Sequence, residues 1–376
     1  MPKLSFWEKE TFFKDIDYAI IGSGIVGLNA AITLKEKYPR RKVVVFERGT
    51  LPIGASTRNA GFACFGSLTE LLDDLNNQSE EEVLALVERR WRGLERLRER
   101  CGDKALDYKP FGGMEIFREE EKEIHQECIE KMPWFNDRIA KITKNSETYL
   151  KADNRLSQYG FSGVKNLILN QEEGQIHTGQ MMQRLLEIAQ NLGVLIFNGI
   201  EIKKVSEDQN SPFLLTENNW EIRVGKALIA VNGFAKKLLP DIQLQAARNQ
   251  VIISSPIENL PFSGCFHYDC GYFYFRNVGK RVLLGGGRNL AKKAEETTTF
   301  GETELIQNAL QKLLKEVILP NHSFEIKHKW SGILGVGKSK NPIIKKISNN
   351  IGVSVRLGGM GVAMGSLIGE EGANLF

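Results

Sequence analysis

An apolar run, Tyr18-Ala19-Ile20-Ile21, passes directly into Gly22-Ser23-Gly24-Ile25-Val26-Gly27, and a second run, Val43 to Phe46, ends on Glu47. Strand, glycine-rich turn, helix and second strand in that order predict a dinucleotide-binding βαβ unit. Gly22 permits the tight turn out of the strand, Gly24 lets the backbone approach a pyrophosphate, and Gly27 lets the helix pack closely on the sheet. The free N–H groups and partial positive charge at the helix start favour an anion there. Glu47 follows Gly27 by twenty residues, the place from which a carboxylate accepts hydrogen bonds from ribose hydroxyls.

The 376 residues exceed one ordinary domain and predict two or three. A net charge of +4, with basic and acidic residues interleaved, gives no reason to invoke nucleic acid. In the richest basic stretch, Arg89 to Arg100, the apolar residues Leu84, Val87, Trp91, Leu94 and Leu97 recur at helical spacing, so its charges form the wet face of an amphipathic helix. The five cysteines, Cys64, Cys101, Cys128, Cys265 and Cys270, make no CxxC pair. No Cys/His cluster has metal-ligand spacing, which predicts buried thiols and no metal site. The first seventeen residues carry no signal-peptide pattern and no run is long enough for a membrane span, so a cytoplasmic location is expected.

After Glu47 comes Gly54-Ala55-Ser56-Thr57-Arg58-Asn59-Ala60-Gly61-Phe62-Ala63, whose small residues suit close passage along a planar ligand. Thr69 to Asn145 reads as a charged helical layer broken by a turn and short strand at Tyr108 to Phe117. Gln175-Ile176-His177-Thr178 then introduces an amphipathic helix, Gly179 to Asn191, followed by a strand at Val194 to Phe197. A β-meander is expected over Glu201–Val205, Phe213–Thr216 and Trp220–Val224, with a further strand from Lys226 to Val231 ending at Asn232-Gly233. Tyr272 to Arg276, the Gly279-Lys280 turn and Arg281 to Arg288 predict a hairpin. A last strand, Ile351 to Val355, leads through Arg356-Leu357-Gly358-Gly359-Met360-Gly361 into a terminal helix of small residues.

In that order the fingerprint with Glu47, the GASTRNAGF segment, EGQIHTG, ALIAVNG, the YFYFR to LLGGGR hairpin and VRLGGMGVAMG resemble the D-amino-acid oxidase superfamily of flavoproteins. The resemblance spans nearly the whole chain. It implies a mixed α/β and α+β fold: a discontinuous, Rossmann-like two-dinucleotide FAD-binding domain from residues 1–75, 155–235 and 331–376. A mainly antiparallel β substrate domain carrying helices would come from 76–154 and 236–330. It implies FAD rather than NAD, held through Gly22, Ser23, Gly24, Ile25, Val26, Gly27, Glu47 and Arg48, and through Ala55, Ser56, Thr57, Arg58, Asn59, Ala60 and Gly61. Val205, Asn232, Gly233, Gly332, Gly358, Gly359, Met360, Gly361 and Val362 complete the set. No cysteine follows Cys270, so the FAD is expected to be non-covalent.

The resemblance also implies dehydrogenation of the CH–NH bond of a small amino acid or amine by hydride transfer to flavin N5, giving an imine that hydrolyses. Dioxygen or another acceptor would then take the electrons. Two other readings stay open: oxidation of a 2-hydroxy acid, and a non-catalytic flavoprotein subunit. A homo-oligomer is compatible with the sequence. The first turn of the terminal helix would face the N1/C2 end of the flavin, where negative charge develops. Arg356 matches the arginine that pairs with a substrate carboxylate, while Leu334 stands where glycine oxidase has a further arginine. Tyr272, Tyr274 and Arg276 share one face of a strand and are the expected catalytic set with Arg356; Arg288, after three glycines, is a further candidate. His177 and His267 are left outside that set, because lone histidines are mostly structural.

Overall fold

The computed structural model describes residues 3–208 and 211–376 and has two large sheets. In the first, the strand Ile16–Ile21 runs parallel between Val43–Glu47 and Glu221–Ile229, with Leu195–Asn198 beyond one and Ile351–Val355 beyond the other. Ile343–Lys346 closes one edge antiparallel. Strands buried on both faces need a continuous apolar sequence, and Val43–Glu47 is buried at every position. One face is covered by the helices Ile25–Lys37, Thr178–Asn191 and Gly361–Ala373, whose Leu28, Ile32, Met182, Leu185 and Ile368 meet Ile20 and Val45 in one core. On the other face, the meander Ile202–Asp208 and Ser211–Thr216 covers Phe46 and Ile229.

The second sheet has eight strands in the order Ile326–Val336, Gln245–Ser254, Arg281–Gly286, Phe273–Val278, Cys265–Tyr268, Gly113–Arg118, Val164–Asn170 and Tyr149–Lys151. Neighbours are antiparallel except Cys265–Tyr268 with Gly113–Arg118. Side chains alternate across a strand. Phe273 and Phe275 therefore point to the back, where Phe266 stacks on Phe275 at 4.7 Å and the helix Glu304–Leu313 closes the core, while Tyr272 and Tyr274 turn to the front.

Three sequence expectations shift. Trp220–Val224 and Lys226–Val231 are one strand, Glu221–Ile229, antiparallel to the meander at its start and parallel to Ile16–Ile21. The boundaries at 155 and 331 also fail to divide the sheets, since Val164–Asn170 belongs wholly to the second and Ile326–Val336 runs through residue 331. The helix Glu80–Cys101, assigned to the substrate side, instead packs on the helix Gly361–Ala373, and its Leu86, Leu94 and Leu97 enter the first core. A Cβ on Gly93 would lie 2.1 Å from the Ala363 carbonyl oxygen, so only glycine allows that crossing.

Candidate active site

A cleft opens above the carboxyl ends of the first sheet's parallel strands. At one end, of about 1170 Å³ counting its open mouth, it is lined by Gly22, Gly24, Ile25, Val26, Glu47, Arg48, Gly54, Ala55, Ser56, Asn232 and Phe234. Gly22 takes φ +103°, and a Cβ on Gly27 would sit 1.9 Å from the Gly22 carbonyl oxygen, so turn and helix approach only as glycines. Ser56 Oγ accepts from Ile25 N at 2.9 Å, fixing the small-residue segment over the helix start. Ser23 lies beneath: its N–H and hydroxyl both donate to Glu47 Oε2, at 3.1 and 2.8 Å, while Gly49 N donates to Oε1. The Glu47 carboxylate is thereby locked in place at the cleft wall. The Arg48 guanidinium lies 3.8 Å from the centre of the Phe234 ring.

The other end, about 1620 Å³ counted the same way, shares Ala55, Asn59, Leu334, Gly359 and Val362 with the first, so the two form one elongated cleft. Arg58, Ala60, Gly332, Gly358 and Met360 line it with Phe62, Tyr272, Tyr274 and Arg288. The helices Ile25–Lys37 and Gly361–Ala373 both start on the cleft with no capping side chain on the residue that precedes them, although Ser56 Oγ takes the Ile25 N–H of the first. They converge because Gly365 and Gly369 admit Ile25 and the Val26 carbonyl at distances no side chain tolerates. Methyl groups placed on Gly54, Gly358 and Gly361 would meet no protein atom within 4 Å, so these glycines bare backbone to the cleft. Two helix starts, a carboxylate at one end and bare backbone at both ends fit a molecule anionic in the middle and planar at one end. FAD is such a molecule.

Several expected site residues have other tasks. Arg276 shares a face with Tyr274 but is buried away from the cleft, donating from Nε to the Ala60 carbonyl and from Nη2 to the Ile176 carbonyl at 3.0 Å. It ties the small-residue segment and the start of the Thr178 helix to the second sheet. Arg356, at φ 67°, turns outward and donates to the carbonyls of Asn341 at 2.9 Å and Gln243 at 2.8 Å, so it is a loop tie and lines neither end. Val205 pairs with Leu214 in the meander, and Ile200 to Ile202 line the cleft instead. Thr57 donates to Pro52 and Gly54 carbonyls, and Gly61 and Gly233 allow close backbone approach to Ile176 and Leu334. These three support the cleft without lining it.

Asn59 joins both ends, accepting from Gly61 N at 2.8 Å and the Thr178 hydroxyl at 2.9 Å. Tyr274 accepts from Asn249 Nδ2 at 3.1 Å, and burial raises its phenol pKa. Arg288 follows Gly287, at φ 75°, and lines the cleft with no hydrogen-bond or carboxylate partner among the described residues. His177 caps its helix, Nδ1 accepting from Gln180 N at 3.2 Å. His267 is different: with Cys64 it lines the second end, and its Nε2 lies 3.6 Å from Glu173 Oε2. Burial works against its charge, but the Glu173 carboxylate prevails and raises its pKa to about 9. Cys64, Glu173 and His267 stand far apart in sequence, so no local spacing could announce them.

All five cysteines are free thiols, and among the described residues no helix is long and apolar enough to cross a membrane. The chain is 25% identical to the probable oxidoreductase OrdL of Rhizobium meliloti (strain 1021), over 96% of this chain and 82% of that protein. Glycine oxidase from Geobacillus kaustophilus superposes with a TM-score of 0.75 at 18% identity, covering 96% of this chain and 94% of the other. L-proline dehydrogenase from P. horikoshii gives 0.74 at 18% identity, covering 96% and 92%. The DAO family, described as FAD dependent oxidoreductase, matches residues 17–375, and the chain belongs to it.

Proposed function

We propose that this oxidoreductase dehydrogenates the C–H bond beside nitrogen in a small amino acid. The observation that carries the reading is Arg288, a cation with no partner among the described residues, in a wall that also holds the Glu70 and Asp73 carboxylates; Lys340, in the same wall, is paired with Asp73 and Asp74. A zwitterion meets both signs there, its carboxylate facing Arg288 and its ammonium facing a carboxylate of the same wall. The names of the two structural neighbours, a glycine oxidase and an L-proline dehydrogenase, support the same class.

Gly22 to Gly27, Glu47, the Ala55–Ala60 segment and the start of the Gly361 helix would hold FAD, which would supply the hydride acceptor. Arg288 pairs with the substrate carboxylate, to which a planar guanidinium is matched. Tyr272 and Tyr274, with Phe62 edge-on to Tyr274 at 5.5 Å between ring centres, wall the substrate from water and hold its α-carbon in line. The zwitterion's ammonium would first give a proton to a carboxylate of the wall, Glu70 or Asp73, or to water, which frees the nitrogen pair for the C=N bond as the α-hydrogen is lost; water would then split the imine to a carbonyl compound and an amine. The N–H groups at the start of the Gly361 helix stabilise negative charge at the end of the cleft they face. Anaerobic mixing of the yellow protein with amino acids, simple amines and 2-hydroxy acids tests this. Bleaching by glycine, sarcosine, proline or D-amino acids is expected, and bleaching by hydroxy acids alone would overturn it.

A further inference from the structure

Cys64, Glu173 and His267 come from three separate segments: the stretch after the small-residue segment, the turn before the Thr178 helix, and a strand of the second sheet. All three are buried, and one ligand atom from each lies within 4.8 Å of the other two. Glu173 Oε1 is held by the N–H groups of Phe65 and Gly66, at 2.8 and 3.0 Å, which aims Oε2 at the cluster. Glu173 Oε2 and His267 Nε2 are buried without a hydrogen-bond partner. Their 3.6 Å separation is too long for a hydrogen bond. It is close to the roughly 3.4 Å between two ligands about 2.1 Å from one tetrahedral ion.

We propose that Cys64 Sγ, Glu173 Oε2 and the His267 imidazole bind one divalent cation of the zinc class, with a fourth position open to the second end of the cleft. Mixed sulfur, nitrogen and oxygen ligands select a borderline ion over calcium or magnesium. Cys64 and His267 line the cleft while Glu173 lies behind them, so the open position faces the cleft. Coordination replaces the thiol proton and one imidazolium proton by one dication, leaving the buried charge unchanged and releasing both protons to solvent. The ion would pin two segments around the FAD cleft to the second sheet.

The test uses FAD-loaded full-length protein, incubated with zinc, freed of excess by dialysis, and measured for zinc and flavin together. One zinc per chain is expected. Cys64→Ser and His267→Gln should weaken it by at least about a hundredfold while Cys128→Ser does not. Cobalt in place of zinc should give the red-region absorption of a tetrahedral thiolate site, beyond the flavin bands. That spectrum on the unmodified chain decides the matter if the variants lose flavin and fail to fold. Protein holding no stoichiometric zinc and showing no such cobalt spectrum, or variants retaining zinc as tightly as the parent, would overturn the proposal. Flavin bleaching by substrate reports separately on the proposed reaction.

Discussion

The two ends of the cleft are built on opposite plans. At the fingerprint end the turn and helix start are backbone from one short stretch, joined by Glu47, Arg48 and Phe234 from elsewhere, and the fit there depends on what is missing: side chains at Gly22, Gly24 and Gly27. At the other end, beside the bare backbone of Gly358 and Gly359, side chains dominate, delivered by segments from Ala55 to Ala363. Backbone shaped by glycine tolerates no substitution, whereas a wall of side chains can be retuned one residue at a time. The largest expected effect on binding tests this directly. Gly27→Ala puts a methyl 1.9 Å from the Gly22 carbonyl oxygen and should cost FAD affinity at least about a hundredfold. Tyr272→Phe should keep its full flavin content. Flavin titration by fluorescence quenching measures both, and equal losses would erase the contrast.

The same contrast explains which parts of the molecule are legible in its amino-acid sequence. The fingerprint, Glu47 and the glycine-rich return at Gly358 to Gly361 are legible because backbone geometry demands glycine at fixed spacing, and the first sheet follows from them. The hairpin is legible too, through its alternation, and Tyr272 and Tyr274 do reach the cleft. Arg276 and Arg356 are not. An arginine on the correct face still goes where carbonyls receive it, and those of Ala60, Ile176, Asn341 and Gln243 come from remote segments. The merged strand Glu221–Ile229 shows a similar limit, since only its neighbours make one half parallel and the other antiparallel.

Arg276 sharpens the comparison, because it joins the two plans. Arg276→Met leaves two carbonyls unpaired and removes a buried charge that satisfied them, so a loss of roughly 4 kcal/mol in unfolding free energy is expected. Denaturant unfolding followed by flavin release is the measurement, and an unchanged midpoint would return Arg276 to the substrate contacts. Acid precipitation provides a yes-or-no companion: FAD should pass into the supernatant, although Cys64 and Cys270 both line the second end of the cleft. A yellow pellet would mean a covalent link.

Glu115, buried on the strand Gly113–Arg118 in register with His267, adds a pH dependence to the side-chain end. Burial raises its pKa to about 7 although Thr69 donates to it from its N–H and hydroxyl. The fold therefore holds this proton more tightly than the unfolded chain does. Its stabilising contribution is full below the usual value of 4.5 and is lost as pH rises through about 7. At most about 3 kcal/mol is at stake. Glu115→Gln stays neutral, so melting curves of the variant should lack the parent's decline between those limits, and parallel curves would refute the shift.

The smallest effect discriminates best at the substrate end. Arg288 and Arg356 are both arginines near the cleft, but only Arg288 faces it with its donors free among the described residues, while Arg356 bonds two carbonyls of surrounding loops. Arg288→Ala should weaken a carboxylate ligand about tenfold, roughly 1.4 kcal/mol, with flavin content intact. Arg356→Ala should shift the same affinity less than about twofold, since removing a loop tie outside the cleft changes stability more than recognition. Perturbation of the flavin spectrum by a non-oxidisable carboxylate reads both without turnover. The reverse order would mean that the Asn341 and Gln243 ties break when substrate arrives and that Arg356 swings inward, so the side-chain end would be assembled by its ligand rather than held ready for it.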